Sequence, residues 1–176
     1  MEGIPRRIVL TGSESTGKTT LTADLARHYA AVWVPEYVRG YADWKRAPLD
    51  AGDVEPIARG QIAAHDLALE RAERLLLLDT DLLSTVVYAE HYYGACPGWI
   101  RAAAGFRRAD LYLLCDIDVP WTPDAQRDRP GERPAMHELF RQALTEGGFP
   151  YRVIRGGWRE RFLAARLAIE ELVAEP

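Results

Sequence analysis

One stretch near the N-terminus constrains the chain more than any other. Gly12-Ser13-Glu14-Ser15-Thr16-Gly17-Lys18-Thr19 fits G-x-x-x-x-G-K-[ST] at every fixed position. Ile8-Val9-Leu10-Thr11 precedes it as a short apolar, β-branched run that reads as a buried strand. Leu21, Leu25 and His28/Tyr29 follow at helical spacing. In a strand–loop–helix setting, two glycines let the loop curl so that successive N–H groups face inward and form an anion nest. The helix starting near Lys18 adds unpaired N–H groups and the positive end of its dipole. Lys18 is expected on the β- and γ-phosphates of a nucleotide, and the Thr19 hydroxyl on Mg²⁺. Gly12, Ser13, Glu14, Ser15, Thr16, Gly17, Lys18, Thr19 and Thr20 form the expected donor-binding set, with ATP and Mg²⁺ as cofactors.

The rest of the chain extends this unit. Ala31–Val34 reads as a second strand, closed by Pro35, which cannot donate to a ladder. Tyr41–Asp53 reads as a loop with one turn of helix. Val54–Arg74 reads as a long helix capped by Asp53. Leu75–Leu78 could continue that helix, but an apolar run ending on Asp79 reads better as a central strand. Helices are expected from a cap at Thr80 or Asp81 to about Tyr93 and over Trp99–Arg108, with a fourth strand at Leu111–Cys115. A helix around Met136–Ala143, stopped by Gly147-Gly148, a fifth strand at Tyr151–Ile154 and a final helix around Phe162–Leu172 complete the pattern. Alternating strands and helices imply an α/β three-layer sandwich, a five-stranded parallel sheet covered on both faces. The expectation is one domain over residues 1–176, with a lid over about 122–134.

Three carboxylates fall at expected strand ends, where ligands of open parallel sheets bind. Asp79 is assigned to Mg²⁺; Glu36 is the preferred general base, with Asp81 next, although Asp81 also stands where a helix cap is wanted. Arg127, Arg129 and Arg133 are placed to reach a transferring phosphoryl group. Arg39 can pair with a carboxylate or a phosphate. Tyr37 flanks the acceptor position, and Trp121, directly after the fourth strand, could stack on a planar ring.

A net charge of −4 argues against broad nucleic-acid binding. Cys96 and Cys115 form no metal-type spacing and read as two buried thiols. No apolar run approaches a membrane span, and Met1–Arg7 lacks a signal-peptide core, so a cytoplasmic protein is expected; oligomerisation stays possible.

Four elements in order carry a resemblance: the glycine loop, Glu36-Tyr37-Val38-Arg39, Gln61 followed by Asp79-Thr80-Asp81, and Pro120-Trp121-x-x-Asp124-x-x-Arg127. Together they resemble the ribosylnicotinamide kinase domain of the NadR proteins and its stand-alone relatives. The resemblance implies a nucleoside-kinase-like P-loop fold and ATP-dependent phosphorylation of the 5′-hydroxyl of nicotinamide riboside. It also implies that Trp121 faces the nicotinamide and that Glu36, Asp79 or Asp81 handle Mg²⁺ and ribose hydroxyls. Asp124-Ala125 departs from the family's usual Asp-Gly. No His-x-Gly-His is present, so adenylyl transfer is not expected, and neither is repression.

Overall fold

The computed structural model describes residues 4–121 and 130–174. Five strands form the sheet: β1 (Arg6–Thr11), β2 (Val32–Val34), β3 (Leu75–Asp79), β4 (Leu111–Cys115) and β5 (Tyr151–Ile154). Their order is β2-β3-β1-β4-β5, and every neighbouring pair is parallel. In register, Ile8 lies opposite Leu77 on one side and Leu111 on the other. The glycine loop after β1 therefore starts from the middle of the sheet.

Among the described residues seven helices accompany the strands: α1 (Lys18–Tyr29), α2 (Tyr37–Lys45), α3 (Val54–Leu69), α4 (Leu82–Tyr93), α5 (Gly98–Phe106), α6 (Arg133–Glu146) and α7 (Trp158–Ala174). Strand side chains alternate between two cores. Ile8, Leu10, Leu77 and Leu113 pack with Leu21 and Leu25 of α1 and with Ala165 and Ile169 of α7. Val9, Leu76, Leu78 and Leu114 pack with Ala68 of α3, Leu83 and Val87 of α4, and Phe140 and Leu144 of α6. Helices on both faces explain why Leu75–Leu78 shows no alternation of polarity: all four are buried in β3. Cys96 and Cys115 are free and buried. Among the described residues no helix is long and apolar enough to cross a membrane.

Three local expectations change. The segment after β2 is a helix from Tyr37 to Lys45, where a loop with one turn was expected. Gly40 in its interior and the absence of any buried residue hid it, since an unburied helix has no apolar stripe. Asp53 does not cap α3 through its side chain. It closes a capping box with Asp50 around the 3₁₀ turn Ala51–Asp53 and takes hydrogen bonds from Lys45 and Tyr41. Finally, α3 ends at Leu69, and turn hydrogen bonds from Arg71 and Ala72 lead the chain towards β3.

Candidate active site

The glycine loop is held in an alternating backbone conformation. Ser15 (φ 54°) and Gly17 (φ 80°) both lie in the left-handed region, flanking Thr16. Alternation of this kind turns successive N–H groups towards one concave side. A Cβ on Gly12 would stand 2.9 Å from the Cys115 carbonyl oxygen, so only glycine lets the loop leave β1 this close to β4. Lys18 opens α1, and its Nζ donates to the Ser13 carbonyl at 2.7 Å, a bond shared with Thr16 Oγ1 at 2.9 Å.

Thr19 Oγ1 donates to Asp79 Oδ2 at 2.5 Å, joining the first turn of α1 to the end of β3. The other oxygen, Asp79 Oδ1, is buried without a hydrogen-bond partner, as is Ser13 Oγ. Burial, then the neighbouring Glu36 carboxylate, pushes the Asp79 pKa up to about 6 against the opposing pull of Lys18 and Thr19. Orphaned polar atoms on the loop and at the end of β3 are costly unless a ligand meets them. A hydroxyl and a carboxylate oxygen are hard donors of the kind Mg²⁺ takes, with water and phosphate completing its shell. The residues present thus fit a metal–phosphate ligand.

The loop opens onto a cleft of about 870 Å³ bounded by α2, the turns before α3, α3 itself and α4. Glu14 and Glu36 both line it. Glu36 stands at the N-terminus of α2, and Arg39 one turn on donates through Nε to its Oε2 at 2.7 Å. Gln61 and Thr85 join across the cleft wall at 3.1 Å, beside Tyr88 and Tyr92. The two tyrosine rings stack at 5.8 Å, a flat aromatic surface that nothing in the sequence distinguished from core packing. Thr20 is exposed in the first turn of α1.

Other expected residues lie elsewhere. Asp81 is not available as a base. Its Oδ1 caps α4 through the Leu83 N–H at 3.0 Å and its Oδ2 accepts from the Tyr112 hydroxyl at 2.6 Å. It is buried, and burial raises its pKa to about 6. The helix-cap alternative is the one the structure adopts. Tyr37 is a packing residue: a Cβ on Gly60 of α3 would fall 2.1 Å from its ring. Trp121 lies outside the cleft, after β4, with the Arg133 guanidinium 5.6 Å above its ring. Arg133 donates through Nη2 to the carbonyls of Ser15, Ile117 and Val119. Arg127 and Arg129 lie outside the described residues, as does most of the lid segment.

Arg161 was not foreseen. Its side chain is fully buried, and it donates to the Thr16 carbonyl at 3.0 Å and to the Asp118 carboxylate. The signal was present: Arg161 shares its helical face with Ala165 and Ile169, the buried stripe of α7.

The family profile for the AAA domain matches residues 7–161. The trifunctional NAD biosynthesis/regulator proteins NadR of Salmonella typhimurium (strain LT2) and Escherichia coli (strain K12) are each 27% identical over 97% of this chain. The chain spans 43% of their length. A crystal structure of NadR in complex with NR superposes with a TM-score of 0.84 at 26% identity, over 98% of this chain and 52% of that one. NadR in complex with NAD and AMP-PNP gives 0.82 at 26% identity, over 98% and 51% of the two chains. Thymidylate kinase from Ehrlichia chaffeensis shares the fold, with a TM-score of 0.72 at 15% identity over 95% of this chain and all of the other.

Proposed function

The chain belongs to the AAA-domain family, and from that premise we propose that it is an ATP-dependent kinase that phosphorylates the 5′-hydroxyl of nicotinamide riboside to give nicotinamide mononucleotide. One observation carries the reading. The glycine loop, with its orphaned Ser13 and Asp79 oxygens, opens through Glu14 and Glu36 onto a cleft large enough for a nucleoside. The relatives' ligands agree with this: NR in one NadR structure, NAD and AMP-PNP in another.

Phosphoryl transfer asks for positioning and charge neutralisation. Backbone N–H groups of residues 13–19 and Lys18 would hold the donor phosphates. Thr19 and Asp79 would hold Mg²⁺, which when bound neutralises phosphate charge. Glu36 faces the cleft with Arg39 fixing its orientation. It accepts the proton of the attacking hydroxyl while the oxygen–phosphorus bond forms and the bond to the β-phosphate bridging oxygen breaks, releasing ADP. Arg127 and Arg129 are the proposed lid cations. Stacked Tyr88 and Tyr92 offer a planar surface to the acceptor's ring, a place the resemblance assigned to Trp121.

The test is phosphorylation of a nucleoside panel with ATP and Mg²⁺, product identified by mass. Nicotinamide riboside is expected to be the preferred acceptor. Equal or greater kcat/KM with a deoxynucleoside overturns the assignment.

A further inference from the structure

We infer that Arg161 is a positioning residue that holds the glycine loop in its anion-binding form, and so sets donor affinity without touching the donor. The inference rests on the reading of residues 12–19 as the phosphate site. A cradle of N–H groups creates an obligation on its other side: each peptide that turns its N–H inward turns its carbonyl outward, and a buried carbonyl needs a donor. Here the outward side is interior protein, with Thr16 1% exposed. The Thr16 carbonyl is met by Arg161 Nη1 at 3.0 Å and the Ser15 carbonyl by Arg133 Nη2 at 3.3 Å.

Arg161 does more than fill one vacancy. Its Nε donates to the Gly156 carbonyl at 2.8 Å, and its Nη2 to the Asp116 carbonyl at 2.9 Å and to the Asp118 carboxylate. Asp118 in turn accepts from the Gly156 N–H at 2.6 Å. One planar guanidinium thus ties together α7, the turn after β5, the end of β4 and the glycine loop. Beside it, the Trp158 ring lies against Gly17, where a Cβ would stand 2.4 Å away. Left-handed backbone at Ser15 is unfavourable on its own and persists where the surroundings fix it. Lysine cannot substitute, because its donors radiate from one point and cannot reach carbonyls in several directions. Burying this charge is tolerable because of these partners. None of Arg161, Gly156, Asp116 and Asp118 lines the acceptor cleft, so the two ligands report on it separately.

The experiment measures the Kd of Mg²⁺·AMP-PNP and the Kd of nicotinamide riboside by calorimetry, with melting temperature, for the whole chain and for Arg161→Lys and Arg161→Ala. In Arg161→Lys, AMP-PNP binding is expected to weaken about tenfold, the scale of a lost charged hydrogen bond, while nicotinamide riboside binding stays within about twofold. Millimolar guanidinium should restore AMP-PNP affinity to Arg161→Ala and leave the wild type unchanged. Unchanged AMP-PNP affinity in Arg161→Lys overturns the inference. So does weakening of both ligands together in step with the melting temperature, the mark of a core residue only. If Arg161→Ala does not fold, Arg161→Lys decides on the same two constants. A wild-type protein that binds AMP-PNP and ignores nicotinamide riboside refutes the acceptor assignment; the AMP-PNP arm, set against melting temperature, still decides the role of Arg161.

Discussion

Residues 12–17 are wedged between β1, β4 and α7, whereas α2, which carries Glu36 and Arg39 to the cleft, buries none of its nine residues. The two halves of the proposed site are held by different means. On the donor side, backbone conformation is fixed by the buried Arg161 guanidinium and by glycines that have no room for a side chain. On the acceptor side, the wall is held by side-chain contacts between surface elements: Lys45 with Asp50 and Asp53, Tyr41 with Asp53, Tyr37 on Gly60. Triphosphate is the same in every nucleotide, so its site is built once and rigidly. The acceptor differs from kinase to kinase, and the element that shapes its pocket buries none of its residues in the core.

The contrast breaks first at the charges. Lys18→Ala should lower kcat/KM by about 10²–10³-fold, since it removes a fixed cation from the phosphates. Its effect should appear in AMP-PNP Kd and leave nicotinamide riboside Kd near wild type. Glu36→Gln should do the reverse. A loss of about 10²-fold in kcat with AMP-PNP Kd unchanged is the expected mark of a missing base. If Glu36→Gln instead weakens AMP-PNP as Lys18→Ala does, the carboxylate serves the donor and the separation into two halves fails.

The same contrast explains what could be read from the chain. The donor side was legible because backbone geometry demands particular residues: glycine at 12 and 17, lysine at 18, a hydroxyl at 19. Strands β1 to β4 were legible as compact apolar runs, and β5 by its apolar Tyr151, Val153 and Ile154 around an exposed Arg152. The helix α2 was not, because nothing on it is buried. Asp81 was ambiguous for a physical reason: a strand-end carboxylate and a helix N-cap occupy the same place in a βα unit, and the Leu83 N–H together with the Tyr112 hydroxyl, thirty-one residues away, decides between them. Arg161 could be marked in the sequence as a charge on the buried stripe of α7, but not assigned its task, because the carbonyls it satisfies leave no trace in a sequence.

A gentler perturbation acts on the acceptor wall alone. Gly60→Ala would normally favour a helix by about 1 kcal/mol. Here the new methyl group would meet the Tyr37 ring at 2.1 Å, so Tyr37 and the start of α2 must shift. Displacing Glu36 with α2 should raise KM for nicotinamide riboside roughly tenfold, with KM for ATP within twofold. An unchanged KM together with a higher melting temperature would mean that Tyr37 swings aside at no cost to the cleft.

The smallest effect separates the halves by stability rather than rate. The folded-state pKa of Asp79, about 6, lies above the ordinary 3.8, chiefly through burial. A raised carboxylate pKa favours the fold below the unfolded value, and that contribution is lost as pH rises from about 4 to about 6. At pH 7.5 ionised Asp79 therefore costs stability, and Asp79→Asn should raise the melting temperature by a few degrees, corresponding to about 1–3 kcal/mol. At pH 4 the two proteins should melt together; Asp81, raised to a similar value, is present in both and cancels. Mg²⁺ should stabilise the wild type at pH 7.5 and leave Asp79→Asn unmoved, because the ion meets the orphaned Oδ1 of an ionised carboxylate. Glu36→Gln, which breaks a partly exposed pair with Arg39 and removes the charge that helps raise the Asp79 pKa, should change the melting temperature less, through a smaller destabilisation by ionised Asp79 at pH 7.5. A difference between wild type and Asp79→Asn that stays constant from pH 4 to 7.5 would show that Lys18 and Thr19 already compensate the buried charge, and the donor site would then be relaxed before its ligand arrives.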